Sequence, residues 1–288
     1  MKLSRGEKVY VAIMYVIAIL CALACILPVL NLFAKSLSST KAVASFSVSF
    51  WPVEFSTAGW AYILKYTSYL NSLKNSVINT AIGTVLSICI TVLTAYSLSH
   101  TELKGKKFFI YVYVFAMIFS AGTLPVYFQI KEYGLLNTRW ALILHALVSP
   151  YYTFVLKSGF EAVPDSLEEA ARIDGASYSR TLFSIVIPVS KASIATITIF
   201  TAVAYWNRYF DALLYITKQP LKPLSLLLYE FIKLSKMEET NDELYGQALS
   251  ETIKNASAVM LTIIPILLIY PFMQKYFVKG VMVGSVKG

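Results

Sequence analysis

The sequence is poor in charge, since 14% of its residues are charged, whereas soluble domains carry about 25%. It has only two histidines and three cysteines. It contains neither a Gly-rich phosphate loop ending in Gly-Lys-Ser/Thr nor a His-Glu-x-x-His pair. These absences argue against a soluble domain, an ATP-hydrolysing subunit and a membrane enzyme, and three cysteines within apolar runs argue against a disulfide framework. We therefore predict no catalytic residue, no metal site and no cofactor bound by this chain.

Apolar residues dominate instead, at 57% of the chain, and they fall in long runs. A helix needs roughly 20 apolar residues to cross a bilayer core of about 30 Å. Runs of about this length cover residues 10–33, 77–98, 108–130, 140–156, 182–205 and 256–277. Runs this continuous favour helices over the short alternating strands of a barrel. We predict an all-α polytopic membrane protein with six transmembrane helices in a single domain, residues 1–288.

The net charge of +9 has two interpretations, nucleic-acid binding or the bias of Lys and Arg toward cytoplasmic loops. The basic residues do not cluster on one soluble face, which favours the second interpretation. With six spans, the very short loop containing Lys104, Lys106 and Lys107 lies on the same side as both termini. We therefore expect both termini in the cytoplasm, an uncleaved first span and no nucleic-acid partner.

A charged segment with small residues separates the fourth and fifth apolar runs. Ser166 followed by Glu169 fits a capping box, and the same pattern occurs one residue earlier. Gly175 suits the position just after a helix, where the backbone is left-handed. We predict a short helix over residues 166–174 that is too charged to lie in lipid.

The residues alone leave two roles open for this short helix. Ala170 and Ala171 are small enough to let another surface approach closely, and the neighbouring charged residues offer polar contacts. The alternative is an ordinary helix at the membrane interface, without a partner.

The string Glu169-Ala170-Ala171, with Gly175 after three further residues and Pro188 downstream, resembles the EAA loop of binding-protein-dependent ABC import permeases. The fuller pattern Glu-Ala-Ala-x-x-Asp-Gly-Ala and the C-terminal segment 274–288 resemble the carbohydrate-uptake branch of that family. This branch contains the relatives of the maltose permease subunit MalG and the lipoprotein-partnered oligosaccharide permeases. Together with the six-span layout, the resemblance covers nearly the whole chain and implies the ABC type I importer permease fold.

The resemblance implies that the short helix is a coupling helix seated in a groove of a cytoplasmic ATPase subunit. The residues that it assigns to this coupling are Glu168, Glu169, Ala170, Ala171, Arg172, Asp174 and Gly175. The tail, residues 280–288, would reach toward the ATPase dimer. ATP and Mg would be bound by these partner subunits and not by this chain.

The implied assembly contains a second homologous permease subunit, two cytoplasmic ATPase subunits and an extracytoplasmic solute-binding protein, in the lipid of a bacterial or archaeal cytoplasmic membrane. The chain would form half of a pathway for sugar or oligosaccharide uptake. An importer of a non-sugar solute is the alternative within the family. A stand-alone secondary transporter is disfavoured, because it would need intramembrane ionisable residues that are scarce here.

Polar and aromatic side chains in the spans are candidates for the transport pathway, because polar groups are costly in lipid. The candidates are Asn75, Asn79, Tyr205, Trp206, Asn207, Arg208 and Asp211. The alternatives are an interfacial aromatic belt and a simple ion pair between Arg208 and Asp211. His145 is expected to be hydrogen-bonded packing, and the apolar spacing from Leu224 to Lys236 predicts an amphipathic helix.

Overall fold

The computed structural model describes residues 4–66, 68–238 and 250–284, and it contains helices but no strand within these ranges. The first seven helices are α1 (Arg5–Ser36), α2 (Thr40–Ala44), α3 (Ala58–Tyr66), α4 (Tyr69–Ser99), α5 (Lys106–Ile118), α6 (Thr123–Glu132) and α7 (Arg139–Leu144). They are followed by α8 (Pro150–Phe160), α9 (Asp165–Ile173), α10 (Tyr178–Thr181), a π-helical segment (Leu182–Val186), α11 (Ile187–Val189), α12 (Lys191–Trp206), α13 (Tyr209–Tyr215), a 3₁₀ turn (Gln219–Leu221), α14 (Leu224–Glu238) and α15 (Glu251–Gly284).

Three unbroken helices in the described ranges are long and apolar enough to cross a membrane, namely Gly6–Ser36, Tyr69–Ser99 and Glu251–Leu268. They correspond to the first, second and sixth apolar runs. Pro28 lies inside α1 without ending it. If each of two bent helix pairs is one span, the number rises to five. The amphipathic helix predicted from Leu224 onward is present as α14.

The third apolar run, residues 108–130, is a bent pair of helices in the structure. Helix α5 ends at Ile118, α6 begins at Thr123, and the two axes differ by 112°. Phe119 is extended, and Gly122 has φ 82° and ψ 170°, a backbone conformation that is essentially restricted to glycine. The bend is therefore built into the backbone.

The fourth run, residues 140–156, also consists of two helices. Helix α7 ends at Leu144 and α8 begins at Pro150. Ser149 precedes this proline and is extended, with φ −112° and ψ 110°. A residue before proline avoids the helical region because it clashes with the proline ring, so the second half starts as a new helix.

The fifth run, residues 182–205, bends by 83° between Tyr178–Val189 and Lys191–Trp206. Pro188 has no amide hydrogen and cannot continue the regular helical ladder. The turn before it widens into the π-helical segment, and Ser190 leaves the helical conformation at φ −91° and ψ 13°. A proline combined with a π-bulge is a recognised cause of sharp helix kinks.

The chain divides into two compact units, Met1–Tyr69 with Leu228–Ile266 and Leu70–Leu227 with Leu267–Gly288. In the first unit, the hydroxyl of Tyr69 donates to the carbonyl of Leu261 at 2.9 Å. Its apolar core contains Ala34, Ala42, Val43, Val48 and Ile253. The second unit has a core in which α4, α8 and the π-helical segment meet, formed by Val92, Ala95, Tyr96, Leu156, Phe160, Val163, Leu182 and Val186. This second core includes the last turns of α4, and its Val163 lies just before α9.

Candidate functional site

Helix α9 begins one residue earlier than the sequence predicts, at Asp165, and ends at Ile173. Its N-cap is Pro164, which makes no side-chain capping bond, so the predicted capping box is wrong. Because of the earlier start, Ser166 lies within the first turn and not at the cap. Asp165 and Glu168 lie in this first turn, where their charges favour the positive end of the helix dipole.

The end of α9 confirms the prediction for Gly175, whose φ is +77°. The Gly175 amide donates to the carbonyl of Arg172 at 3.0 Å, and the Ala176 amide donates to that of Ala171 at 2.9 Å. These two bonds form a Schellman motif, which needs a left-handed residue at this position. The chain therefore reverses sharply after α9 and leaves the last turn of the helix fixed.

One face of α9 is attached to the turn that follows α4. Arg172 Nη1 donates to Glu102 Oε1 at 2.9 Å, and the Tyr178 hydroxyl donates to Glu102 Oε2 at 2.9 Å. The guanidinium of Arg172 also lies 5.3 Å from the centre of the Tyr178 ring. Nearby, His100 Nδ1 is 3.7 Å from Glu168 Oε2. We name the group Glu102, Arg172 and Tyr178 the α9 clamp.

The clamp changes the acidity of its carboxylate. The hydrogen bonds from Arg172 and Tyr178, together with the charge of Arg172, lower the pKa of Glu102 below its usual value. Glu102 therefore stays ionised at neutral pH, and the ion pair with Arg172 is maintained.

The opposite face of α9 is not covered by any of the described residues. Ile173 is 87% exposed, Leu167 is 42% exposed, and Ala170 lies exposed beside them. Glu169 is also exposed, whereas Ala171 is buried. The predicted coupling set therefore divides: Glu168, Ala171 and Arg172 face the protein, and Glu169, Ala170, Asp174 and Gly175 face outward. We name Leu167, Glu169, Ala170 and Ile173 the exposed row of α9.

Among the pathway candidates, Asn75 is buried and fully bonded. Its side-chain nitrogen donates to the carbonyls of Pro220 at 2.8 Å and Lys222 at 3.1 Å. Its side-chain oxygen accepts from Arg139 Nη2 at 2.6 Å. Asn75 thus connects α4 to α7 and to the segment before α14. The sequence gives no signal for these partners, because they lie far away along the chain.

Asn79 is buried as deeply, at 4% exposure, but neither polar atom of its amide has a partner within the described residues. The indole nitrogen of Trp206, a residue that is 6% exposed, likewise has none. A buried polar group without a partner costs about 1–3 kcal/mol. Water or a ligand hydroxyl could form hydrogen bonds with these groups. Asn79 and Trp206 therefore remain pathway candidates.

The remaining candidates surround the end of α12. Arg208 Nη1 donates to Asp211 Oδ2 at 2.8 Å, which confirms the alternative of a local ion pair. The Arg208 guanidinium lies 5.2 Å from the centre of the Tyr205 ring, and the Tyr205 hydroxyl donates to the Ile143 carbonyl at 3.1 Å. Asn207 is exposed. These side chains combine aromatic rings with charged hydrogen-bonding groups.

His145 also belongs to this group, and its proximity to Asp211 was not expected from the sequence. Its Nε2 lies 3.9 Å from Asp211 Oδ2, and its ring packs edge-on to Tyr215 with centroids 5.9 Å apart. His145 and Asp211 are distant in sequence, and neither occurs in a spaced motif. Only the folded chain brings them together.

Comparison with known proteins identifies the family of this chain. Residues 2–283 match the model of the binding-protein-dependent transport system inner membrane component. The chain belongs to this family. The permease is 37% identical over 285 residues to the polygalacturonan/rhamnogalacturonan transport system permease protein YtcP of Bacillus subtilis, which covers 98% of this chain and 99% of that protein. It is 37% identical over 265 residues to protein LplC of the same organism, covering 91% and 90% of the two chains.

A solved structure shows the same fold. It is a chain of a bacterial ABC transporter involved in the import of the acidic polysaccharide alginate, with a TM-score of 0.85 and 28% sequence identity. The match covers 96% of the permease and 99% of the other chain. The resemblance carried by the Glu169-Ala170-Ala171 string is thus confirmed at the level of family and fold. The coupling role of individual residues stays a prediction.

Proposed function

We propose that the chain is the permease subunit of an ATP-driven importer and forms half of a pathway for sugar or oligosaccharide uptake. The observation that carries the coupling part is the exposed row of α9, held outward by the α9 clamp and a Schellman turn. Membership of the permease family supports the transport part. The named relatives support a carbohydrate, because they include a diacetylchitobiose uptake permease of Streptomyces coelicolor and a melibiose/raffinose/stachyose import permease of Bacillus subtilis.

The exposed row is proposed to seat α9 on a cytoplasmic ATPase subunit. Leu167, Ala170 and Ile173 supply apolar surface that water would otherwise cover, and Glu169 supplies a charge for a basic partner group. Arg172 and Glu168 then act on the inner side, because their contacts carry a displacement of α9 to the end of α4. Such a rigid transfer suits an exchange between discrete packings.

The rest of the assembly follows the family. We propose a second homologous permease subunit, two ATPase subunits that bind ATP and Mg, and an extracytoplasmic solute-binding protein. Six spans are retained in this proposal, with the third, fourth and fifth each built from two helices. Both termini are proposed to be cytoplasmic. The end of the tail proposed to approach the ATPases, residues 285–288, lies outside the described residues.

Reconstitution tests the proposal. The chain is incorporated into vesicles with a homologous permease, an ATPase and a binding protein from the same genome. Uptake of labelled neutral and uronic acid oligosaccharides is then measured. We expect uptake only when ATP is present on the side of the membrane where the ATPase subunits lie. Uptake driven by an ion gradient without an ATPase would contradict the proposal.

Two glutamate variants test the coupling surface in the same vesicles. Glu169→Ala should abolish uptake and weaken ATPase association, while insertion is unchanged. Glu132→Ala is the matched control, because Glu132 is also exposed but belongs to α6 and not to α9. If Glu169→Ala supports as much uptake as Glu132→Ala and the wild type, the coupling role of Glu169 is contradicted.

A further inference from the structure

Two open crevices flank the last turns of α4 in the second unit. The first, about 410 Å³, lies between α4 and the start of α10, and its apolar wall includes Leu93, Tyr96, Leu103 and Leu182. The second, about 460 Å³, lies between α4 and α5, and includes Leu98, Phe109 and Tyr113. Both volumes are in the range of small-molecule sites, about 300–1,000 Å³. Leu93, Ser97 and Leu103 line both crevices and form the ridge between them.

The crevices lie at a depth where lipid chains are present. Helix α4 is long and apolar enough to span a membrane over Tyr69–Ser99, so the turn after Ser99 lies at the membrane surface. Leu93 is 52% exposed and Phe109 is 47% exposed. Apolar side chains that are open at this depth are covered by hydrocarbon and not by water.

Positive charge is concentrated where the two crevices meet the surface. Lys104 and Lys107 are exposed and have no ion-pair partner in the part of the chain that the structure describes. Lys106 is engaged instead, since its Nζ donates to the carbonyl of Ser99 at 3.1 Å. Glu102 also lines the first crevice, but its charge is neutralised by Arg172 at 2.9 Å. Lys104, which lines the first crevice, and Lys107, in the first turn of α5, are therefore two uncompensated cations beside the crevices.

The start of α5 adds hydrogen-bond donors to these charges. Its N-cap is Gly105, which provides no side-chain cap. The Lys106 amide donates to the Leu103 carbonyl at 3.1 Å, so the amides of Lys107 and Phe108 are the ones left to other acceptors. Phosphate groups are favoured at such a helix end. Two apolar crevices on either side of one ridge, with cations and amides at their common mouth, have the shape of a two-chain lipid with an anionic head group.

We propose that this site binds one anionic phospholipid, with an acyl chain in each crevice and its phosphate at Lys104, Lys107 and the start of α5. Basic pockets between membrane helices bind anionic head groups by the same electrostatics. Glu102 and Tyr178 line the first crevice, so a bound lipid would also support the α9 clamp. The inference depends on α4 spanning the membrane and is independent of the transported solute.

Spin-labelled lipids test the proposal with the full chain in phosphatidylcholine vesicles. The association of labelled phosphatidylglycerol and labelled phosphatidylcholine is compared from their motionally restricted fractions. We expect the wild type to prefer phosphatidylglycerol, and Lys104→Gln with Lys107→Gln to lower that preference by about fivefold for each lysine. Lys131→Gln with Lys218→Gln removes the same charge from exposed positions outside the site and should leave the preference unchanged.

A second variant tests the crevices. Ser97→Phe places a ring on the shared ridge and should reduce the restricted fraction of both lipids, whereas Val85→Phe, at a position that is 62% exposed on the same helix, should not. Equal association of the two lipids with the wild type would overturn the proposal. The same is true if both lysine pairs lower the preference equally, or if inorganic phosphate displaces the labelled lipid. None of these outcomes bears on ATP-driven uptake, which is measured separately.

Discussion

Two buried asparagines on α4 show how one residue type serves two purposes. Asn75 uses both ends of its amide, since it accepts from Arg139 and donates to two backbone carbonyls. Asn79, one helical turn later, is equally buried, and its amide has no partner within the described residues. The first arrangement stabilises the fold. The second carries a desolvation cost that is accounted for if a transported hydroxyl, or water, occupies the space beside it.

The two residues should therefore respond oppositely to the same substitution. Asn75→Leu should lower the free energy of unfolding by about 2–3 kcal/mol, because it leaves buried carbonyls and a guanidinium unpaired. Asn79→Leu should leave stability unchanged or raise it by about 1 kcal/mol, because it removes an unpaired amide. Thermal unfolding in detergent measures both, and uptake should fall for Asn79→Leu despite its stability. Normal uptake by Asn79→Leu would remove Asn79 from the pathway.

Gly175 is a second residue whose backbone defines its role. Gly175→Ala meets no steric obstacle, since nothing lies within 4 Å of the added Cβ. Its φ of +77° should nevertheless cost about 1–2 kcal/mol in an L-residue. Gly6→Ala is the matched control, because Gly6 is equally uncrowded but lies in a regular helix, where alanine is favoured. We expect reduced uptake for Gly175→Ala only, and equal uptake for both would show that the turn is not required.

At the scale of elements, the α9 clamp connects two helices through charges that are far apart in sequence. Arg172 and Glu102 are separated by 70 residues. Their pairing shifts the pKa of Glu102 downward, so the stabilisation is present above the ordinary pKa of a glutamate. It is lost as the pH falls through the lowered pKa, where the carboxylate is protonated and Arg172 loses its partner.

The downward shift of the Glu102 pKa predicts that α9 is released at acidic pH. A spin label at position 173, which is exposed, should be immobile at neutral pH and become mobile as acidification protonates Glu102. Glu102→Gln should be mobile across the whole pH range, because its neutral amide cannot replace the ion pair. Glu132→Gln serves as the control and should follow the wild type. A label that stays immobile in Glu102→Gln would show that the clamp does not hold α9.

The individual helices and turns differ in how well they can be predicted from the sequence. The turn at Gly175 was predictable because its signal is local, and helices α1, α4 and α15 were predictable because their apolar runs are long. The breaks at Gly122, Ser149 and Ser190 were not predicted, because each lies within a mostly apolar run and its backbone signal is only a few residues long. The α9 clamp and the His145–Asp211 pair depend on contacts between distant segments, which periodicity does not report.

At the scale of the whole molecule, the proposed topology places α9 and the turn after α4 on one side of the membrane. The contact of Arg172 with Glu102 requires these two segments to be close, and the lysines of that turn favour the cytoplasm. The loop after α1 and the segment before α14 should then lie on the opposite side. A chain with Cys21, Cys25 and Cys89 replaced by alanine provides a background for testing this arrangement, since all three cysteines are free.

Single cysteines at exposed positions then report the side directly. Thr101→Cys and Glu169→Cys should react with a membrane-impermeant maleimide only in inside-out vesicles or after permeabilisation. Ser47→Cys and Lys218→Cys, also exposed, should react in intact cells. The physical reason is that each crossing reverses the side, and positions 101 and 169 are separated by an even number of proposed spans. Reaction of positions 101 and 169 from opposite sides would contradict the six-span topology, whereas reaction of both from outside would reverse its orientation and place α9 beyond the reach of a cytoplasmic ATPase.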